Sequence, residues 1–482
     1  MEQSNTNSHI SSALLWKFLE RFGVQASQFV LQLVLARILD PEHYGVLSLM
    51  VIFTTLANVF IQRGFNTALI QNKNVTEEDY SSVFWLTMSI AGVLYGILFF
   101  SAPAIARFYS MPMLVSPFRV LCLVLFPGAL NSIQLAKISR GLDFKKVLRS
   151  NLAAIFISGF AGICLAYLGF GLWALVVQNL LNVGVACLVM WFTVKWRPRL
   201  VFNFQRIKVL FAFGWKLLVS GLVDTIYNDV YSLLIGRMYD AGTLAYYNRG
   251  KQFPQFIINA VNTTVTTVML PAMSAEQNDK DKVKELMRNS ITISSFLIFP
   301  MMAGLAGVAT PLIRLLLTEK WLPSVPYMQI SCFTLAFLPV HSCNLQAINA
   351  MGRSDIFLKL EIIKKSIGMT VLMILAFCFD SPIMIAMTGV VTTFTSSFLN
   401  AYPNKKLIGY SYFEQMRDIL PSLVASLVMM AVVLLVGQLN VSDLVKIGIQ
   451  ILAGVAVYVT IAATVGMKPF RFLLGMLRKK TR

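Results

Sequence analysis

Cationic and amide side chains recur at helical spacing inside apolar stretches of this chain. One stripe consists of Lys17, Arg21, Gln25, Gln28 and Gln32, and a later one of Lys216, Ser220, Asp224, Asn228 and Tyr231. Steps of three and four residues place each set on one helical face. A charge at the centre of a membrane helix costs at least ~2.5–3.5 kcal/mol, so it normally faces a cavity or a partner. Guanidinium and ammonium groups bind phosphates, and the stripes therefore indicate recognition of an anion inside a membrane.

The candidate site residues fall into three chemical groups. The cations of the predicted cavity are Lys17, Arg21, Arg63, Lys216, Arg249 and Lys251. The amides of the same segments are Gln25, Gln28, Asn58, Gln62, Asn228, Gln252 and Asn259. The carboxylates Glu20, Asp224 and Asp229 are candidates for binding a coupling H+ or Na+. Because the cations outnumber the carboxylates, the predicted cavity is positive and suits an anionic cargo.

Each of these residues also has a plainer interpretation. Lys17 lies near a helix end and can extend its ammonium to the membrane surface, and Arg249 and Lys251 can lie at the opposite surface. The carboxylates can form ion pairs with the nearby cations. The amides can hold neighbouring helices together by hydrogen bonds. An isolated His341 is interpreted as a packed polar residue.

The elements that must position these side chains are membrane helices. Of the 482 residues, 57% are hydrophobic and 13% are charged, and the mean hydropathy is +0.69; soluble domains average roughly 45–50% apolar and about 25% charged residues. A helix needs about 20 apolar residues to cross a bilayer. About fourteen segments qualify: 11–38, 44–70, 80–103, 114–136, 146–169, 171–194, 206–235, 243–270, 283–310, 325–350, 355–379, 382–402, 417–437 and 443–465. The sequence therefore predicts an all-α integral membrane protein.

The basic residues predict the orientation of the chain. The net charge is +19, and most of the 41 Lys and Arg residues lie in alternate loops and at the C-terminus. Loops rich in Lys and Arg remain in the cytoplasm, so both termini are predicted to be cytoplasmic, and no nucleic-acid partner is expected. The loops are too short for a catalytic domain, which argues against an enzyme. The six cysteines are scattered and lack metal-ligand spacing, so no metal site is predicted.

The two halves of the chain resemble each other. Trp16-Lys17 matches Trp215-Lys216, and the segment 36–40, Ala-Arg-Ile-Leu-Asp, matches 236–240, Gly-Arg-Met-Tyr-Asp. The sequence predicts an N-terminal six-helix bundle at 1–200 and a C-terminal six-helix bundle at 201–405. The remainder, 406–482, is predicted to add two transmembrane helices and a basic cytoplasmic tail. Parallel repeats of this kind are typical of transporters with a central cavity.

Three motifs resemble those of a known family. Residues 35–45, LARILDPEHYG, resemble the LARxLxPxxYG motif that follows the first helix of polysaccharide flippases. Residues 169–178, GFGLWALVVQ, resemble the GxGxWALVxQ turn between their fifth and sixth helices, and 140–145, RGLDFK, also fits. The chain resembles the polysaccharide transport (Wzx-type flippase) branch of the multidrug/oligosaccharidyl-lipid/polysaccharide exporter superfamily. The motif glycines, Gly45, Gly169 and Gly171, are interpreted as structural.

The resemblance implies two pseudo-symmetric bundles that work by alternating access in a prokaryotic plasma membrane. It implies a cargo of undecaprenyl-pyrophosphate-linked oligosaccharide for capsule, exopolysaccharide or O-antigen export. The cations would suit the pyrophosphate, and the amides would suit sugar hydroxyls. Membrane lipids, a polysaccharide polymerase and a chain-length regulator are the expected partners, with H+ or Na+ coupling and no organic cofactor. The alternatives are a cation-coupled multidrug antiporter of the same superfamily and, less favoured, a membrane enzyme of polysaccharide assembly.

Overall fold

The computed structural model describes residues 23–72, 74–141 and 143–480, and these residues form helices joined by short loops. Ten of the described helices are long and apolar enough to cross a membrane, and a bent one raises the number to eleven. The predicted class, an all-α integral membrane protein, is confirmed. The described parts of the predicted spans are largely helical, although turns interrupt them at 63–64, 308 and 337. Residues 11–22 lie outside the described ranges. The number of fourteen crossings stays a prediction.

The chain forms two compact units that divide between Ala245 and Tyr246. The helices before the division are α1 (23–38), α2 (Pro41–Gln62), α3 (Phe65–Gln71), α4 (Glu77–Phe108), α5 (Val115–Leu121), α6 (Leu125–Gly141), α7 (Phe144–Tyr167), α8 (Leu172–Thr193) and α9 (Phe204–Met238). Helix α10 (Ala241–Ala275) contains the division. The later helices are α11 (Lys280–Gly307), α12 (Ala309–Leu317), α13 (Val325–Ala336), α14 (Leu338–Ala350), α15 (Ser354–Cys378), α16 (Pro382–Ile408), α17 (Tyr412–Val436), α18 (Asp443–Thr464) and α19 (Lys468–Lys480). The repeat boundaries predicted near residues 200 and 405 stay a prediction.

Local sequence determines where several helices begin and end. Helix α2 begins at Pro41, a position where the missing N–H of proline has no cost. Capping boxes start α4 at Thr76 and α17 at Ser411, where the hydroxyl and the acidic residue three positions later satisfy free backbone N–H groups. Gly169 and Gly171 have φ of 81° and 53° in the turn between α7 and α8, which explains both motif glycines.

In the first unit, polar contacts fix the chain that leads into α9. The segment between α8 and α9 runs along the start of α4. The backbone N–H of Arg199 donates to Ser81 Oγ at 3.1 Å, and that of Asn203 donates to Ser82 Oγ at 2.9 Å. Trp85 Nε1 donates to the Arg199 carbonyl at 2.9 Å. These bonds set the position at which α9, the carrier of the second polar stripe, begins.

In the second unit, the last helices pack on α11. Phe296, Met429, Val433 and Tyr458 form a core between α11, α17 and α18, and Tyr458 Oη donates to the Phe296 carbonyl at 2.8 Å. After the last predicted span, the sequence predicted only a basic tail. The structure has an amphipathic helix in this segment, α19.

The motif glycine Gly45 marks a close approach of two backbones. A Cβ on Gly45 would lie 1.7 Å from the carbonyl oxygen of Ala241, in the same unit. No rotamer change can relieve that overlap, because the obstacle is backbone. Gly45 is therefore structural for a steric reason rather than for its backbone dihedral angles.

We expect Gly45→Ala to lower the free energy of unfolding by about 1–3 kcal/mol, since overpacking forces the helices apart. The measurement is thermal unfolding of the purified protein in detergent. Gly92→Ala in α4 is the matched control, because a Cβ there meets nothing within 4 Å. Equal unfolding midpoints for the two variants would contradict the steric explanation.

Candidate functional site

Part of the first predicted stripe lies outside the described residues. Lys17 and Arg21 belong to that part, and the candidate carboxylate Glu20 lies beside them in the sequence; the roles of all three stay predictions. Of the three amides that continue the stripe along α1, Gln25 is exposed, and Gln28 and Gln32 are half-buried.

The amides at the end of α2 face helix α6. A Cβ on Gly128 of α6 would lie 3.1 Å from Asn58 Oδ1 and 4.0 Å from Gln62 Nε2. The Asn58 amide donates to the Thr54 carbonyl at 3.0 Å, whereas its Oδ1 is buried without a hydrogen-bond partner. Asn58 therefore keeps one acceptor free, and Gln62 is exposed beside it.

Arg63 lies at a break in the helix. Gly64 follows it with φ of 95° and separates α2 from α3. A Cβ on Gly64 would lie 2.8 Å from the Gly214 carbonyl oxygen of α9, so the two helices cross in close contact. The Arg63 side chain extends over Gly221, where a Cβ would lie 2.5 Å from Arg63 Cδ. Arg63 is exposed, so its guanidinium is accessible beside α9.

Helix α9 carries the second stripe past this crossing. It bends by 55° between Ala212 and Gly214. Beyond the bend, Gly221, Asp224 and Asn228 share one helical face by their spacing. Asp224 is half-buried and Asn228 is exposed, and Lys216 is exposed nearer the bend. Asp229 is also half-buried, but five residues from Asp224 place it on a different face.

An apolar cavity of about 420 Å³ lies in the same unit. Its walls include Phe60 and Phe65, which flank Arg63 in the sequence, and Phe211 and Leu218 of α9. Lys208 is the one charged residue in its lining. The first unit thus combines exposed cations, an unpaired amide oxygen and an apolar cavity near one helix crossing.

In the second unit, α10 buries Arg249. The side chain is only 5% exposed. Its Nη1 donates to Gln252 Oε1 at 2.6 Å, and its Cζ lies 5.0 Å from the ring centre of Trp321. A Cβ on the next residue, Gly250, would lie 2.8 Å from the Ser324 carbonyl oxygen. Helix α10 therefore packs closely against the backbone at the start of α13. Arg249 therefore joins α10 to the turn at Trp321 that precedes α13.

The other candidate residues of α10, Lys251 and Asn259, are paired along their own helix. Lys251 Nζ donates to Tyr247 Oη at 3.2 Å and lies 4.8 Å from the centre of that ring. Gln255 Nε2 donates to Asn259 Oδ1 at 2.7 Å. These side chains are half-buried, so they remain within reach of a ligand that can replace their internal partners.

Sequence reasoning missed two polar clusters of the second unit. Asn344, Asn404 and Gln415 are buried and connect α14, α16 and α17 by amide hydrogen bonds of 2.8 to 3.0 Å. Arg288 of α11 donates to Asp418 of α17 at 2.7 Å. The Ser411 capping box was a signal for the start of α17, but no sequence pattern identifies a partner on another helix.

A match to a protein-family model identifies the family of this chain. The model described as "Polysaccharide biosynthesis protein" matches residues 34–326. This chain belongs to that family. The predicted resemblance to polysaccharide transport proteins is confirmed.

Curated relatives carry names from surface polysaccharide assembly. Teichuronic acid biosynthesis protein TuaB of Bacillus subtilis (strain 168) is 26% identical over 63% of each chain, so the match spans just under two thirds of that protein. Succinoglycan biosynthesis transport protein ExoT of Rhizobium meliloti (strain 1021) is 23% identical over 71% of this chain and 69% of its own length. Lipopolysaccharide biosynthesis protein WzxC of Escherichia coli (strain K12) is 22% identical over 82% of each chain.

Solved structures establish the fold of this polysaccharide biosynthesis protein. The lipid II flippase MurJ, in an inward closed conformation, superposes with a TM-score of 0.76 at 17% identity, covering 96% of this chain and all of MurJ. An inward-facing multidrug resistance MATE transporter has a TM-score of 0.60 at 16% identity, covering 81% and 98%. The chain therefore has the multi-pass helical fold of these two neighbours. The relative ExoT is named a transport protein, in agreement with the expectation that the chain is not an enzyme.

We expect Arg249→Met to lower the free energy of unfolding by about 1–3 kcal/mol, because it leaves the acceptor of Gln252 without its charged donor. The neighbouring Lys251→Met should cost less, since Lys251 is more exposed. Thermal unfolding in detergent measures both. An Arg249→Met protein as stable as the wild type but unable to support polymer export would instead place the guanidinium among cargo ligands.

Proposed function

We propose that this protein flips undecaprenyl-pyrophosphate-linked oligosaccharide repeat units across a prokaryotic plasma membrane by alternating access. The polymer would be capsule, exopolysaccharide or O-antigen. Family membership and the transporter fold support this role. The names of the relatives refer to three different polymers. They therefore support the class of cargo and not one sugar composition.

The observation that carries the proposal is the composition of the α2–α9 crossing. Such a cargo has three chemical parts: an anionic pyrophosphate, a hydroxyl-rich oligosaccharide and a long apolar chain. Arg63 and Lys216 are exposed and can bind the anion. The free Oδ1 of Asn58 and the exposed Gln62 can bind hydroxyls, and the cavity beside Phe60 and Phe65 can accept an apolar chain. A cationic drug would be repelled by the exposed cations Arg63 and Lys216, so these residues favour an anionic cargo over a drug.

The orientation and partners are part of the same proposal. The concentration of basic residues in alternate loops supports cytoplasmic termini, so cargo would enter from the cytoplasmic leaflet. A polysaccharide polymerase and a chain-length regulator would act on the flipped repeat units, because the transported lipid is a monomer unit and the product is a polymer.

We expect Arg63→Ala with Lys216→Ala to reduce polymer export at least roughly tenfold, since lost charge-assisted bonds to pyrophosphate are worth about 1.5–3 kcal/mol each. The variants complement a deletion of the gene in its host. Surface polymer and lipid-linked repeat units on each leaflet are then quantified. Unpolymerised repeat units should accumulate on the cytoplasmic leaflet.

Lys280→Ala is the matched control, because Lys280 is an exposed lysine at the first residue of α11. It should export polymer normally at the same expression level. Normal polymer in the deletion strain, together with altered drug sensitivity, would reject the flippase and favour the multidrug antiporter. Normal export by the double variant would reject only the assignment of Arg63 and Lys216.

We further propose that transport is coupled to H+ or Na+ through Asp224. Among the predicted carboxylates, Asp224 shares a face of α9 with Gly221, over which Arg63 extends. Protonation or Na+ binding at Asp224 would change the local charge beside the anion site. Asp229 occupies another face and is the less suitable candidate.

Asp224→Asn is expected to uncouple transport from the gradient. In proteoliposomes, flipping by the wild type should accelerate with an imposed Na+ or H+ gradient, whereas the variant should flip at one rate with or without it. Asp229→Asn serves as the control and should keep the dependence. A dependence retained by Asp224→Asn and lost by Asp229→Asn would reverse the assignment.

A further inference from the structure

A second cavity, about 740 Å³ in volume and lined by charged residues, lies in the second unit. It is far along the chain from the predicted stripes. We call it the α11–α17–α19 cavity. Its walls include Arg288, Glu414, Arg417, Asp418, Lys468 and Phe472. None of these residues belongs to the predicted cargo site.

Both carboxylates of the cavity are neutralised by α11. Arg288 Nε donates to Asp418 Oδ2 at 2.7 Å, and Lys284 Nζ donates to Glu414 Oε1 at 3.3 Å. Tyr410 adds a bond to Asp418 Oδ2 at 2.7 Å. Burial, followed by the bond to Asp418, raises the pKa of Tyr410, so its hydroxyl stays protonated as a donor.

Two cations of the cavity remain uncompensated. Arg417 and Lys468 are exposed, and within the described ranges neither has an ion-pair or hydrogen-bond partner. Arg417 lies on the same α17 face as Glu414 and Asp418, by its spacing. With the carboxylates already paired, the cavity presents excess positive charge and suits an anion.

The position of the cavity indicates the source of that anion. Arg288 is eight residues into α11 and Arg417 five residues into α17, so both lie within about 12 Å of the helix starts. Polar headgroups of a bilayer occupy this depth. Val465 and Phe472 are 62% and 55% exposed on the same rim. An amphipathic helix with basic residues, as α19 is, lies in the plane of the membrane surface.

We propose that the α11–α17–α19 cavity binds the phosphate of an anionic phospholipid. Arg417 and Lys468 hold the phosphate, and the apolar rim at Val465 and Phe472 contacts the first part of the acyl chains. The bound lipid joins α17 to α19 and holds α19 against the bundle. The site is separate from the cargo site, so this inference does not depend on the identity of the cargo.

The test uses the full-length protein in detergent with phosphatidylglycerol, and with phosphatidylcholine of the same acyl chains as the zwitterionic lipid. Mass spectrometry of intact complexes measures bound lipid, and thermal unfolding measures stabilisation by mass action. Wild-type protein should retain phosphatidylglycerol more strongly than phosphatidylcholine. Arg417→Gln with Lys468→Gln should weaken phosphatidylglycerol binding roughly tenfold, the equivalent of about 1.4 kcal/mol.

Lys405→Gln with Lys406→Gln is the matched control. Both lysines are exposed in the last turns of α16, and their substitution removes the same charge. It should bind phosphatidylglycerol like the wild type. Equal weakening in both double variants would reduce the effect to general surface charge and overturn the site. Stabilisation by inorganic phosphate equal to that by phosphatidylglycerol would assign the cavity to free phosphate and overturn the lipid. If the double variant does not fold, Arg417→Gln and Lys468→Gln are measured singly, and unchanged binding by both rejects the proposal.

Discussion

A polar group inside a bilayer must find its partner within the protein, and this constraint organises the whole structure. The buried amides Asn344, Asn404 and Gln415 form hydrogen bonds with one another across three helices. Tyr458 donates to a backbone carbonyl of α11, and Ser150 donates to one of α8 at 2.7 Å. In lipid such bonds, together with close backbone contacts at small residues, take over the role that burial of apolar surface has in water. Gly45 and Gly64 show the second device, because a side chain at either position would meet backbone.

The same constraint separates structural cations from cations that are free to act. Sequence alone placed Arg63, Lys216, Arg249 and Lys251 in one group, since all are charged residues in apolar segments. The structure divides them. Arg249 is buried and bonded to Gln252, and Lys251 is bonded to Tyr247, whereas Arg63 and Lys216 are exposed. An exposed cation inside a membrane protein retains its binding capacity, and we therefore propose the anion site in the first unit.

Helix positions were readable from the sequence because hydropathy and capping are local properties. Pro41, Thr76 and Ser411 start helices by rules that involve only their neighbours in the chain. Side-chain pairing was not readable, because it depends on which faces meet. The Arg288–Asp418 pair joins residues 130 positions apart. Helix α19 was missed for another reason: its charges lower its hydropathy below that of a span, although alternation of basic and apolar residues is itself typical of a surface helix.

The distribution of excess charge links the two anion sites to the direction of transport. Arg417 and Lys468 lie at the start of α17 and of α19, an end of the second unit that would face the cytoplasm in the proposed orientation. Anionic lipid would then be held at the membrane surface by α19, while an anionic cargo headgroup would enter beside α9. The two proposed anion sites have different surroundings, since the cargo site lies beside an apolar cavity lined by Phe60 and Phe65, whereas the lipid site is lined by Arg288, Glu414 and Asp418. An anionic phospholipid held at the second site would therefore not compete for the first.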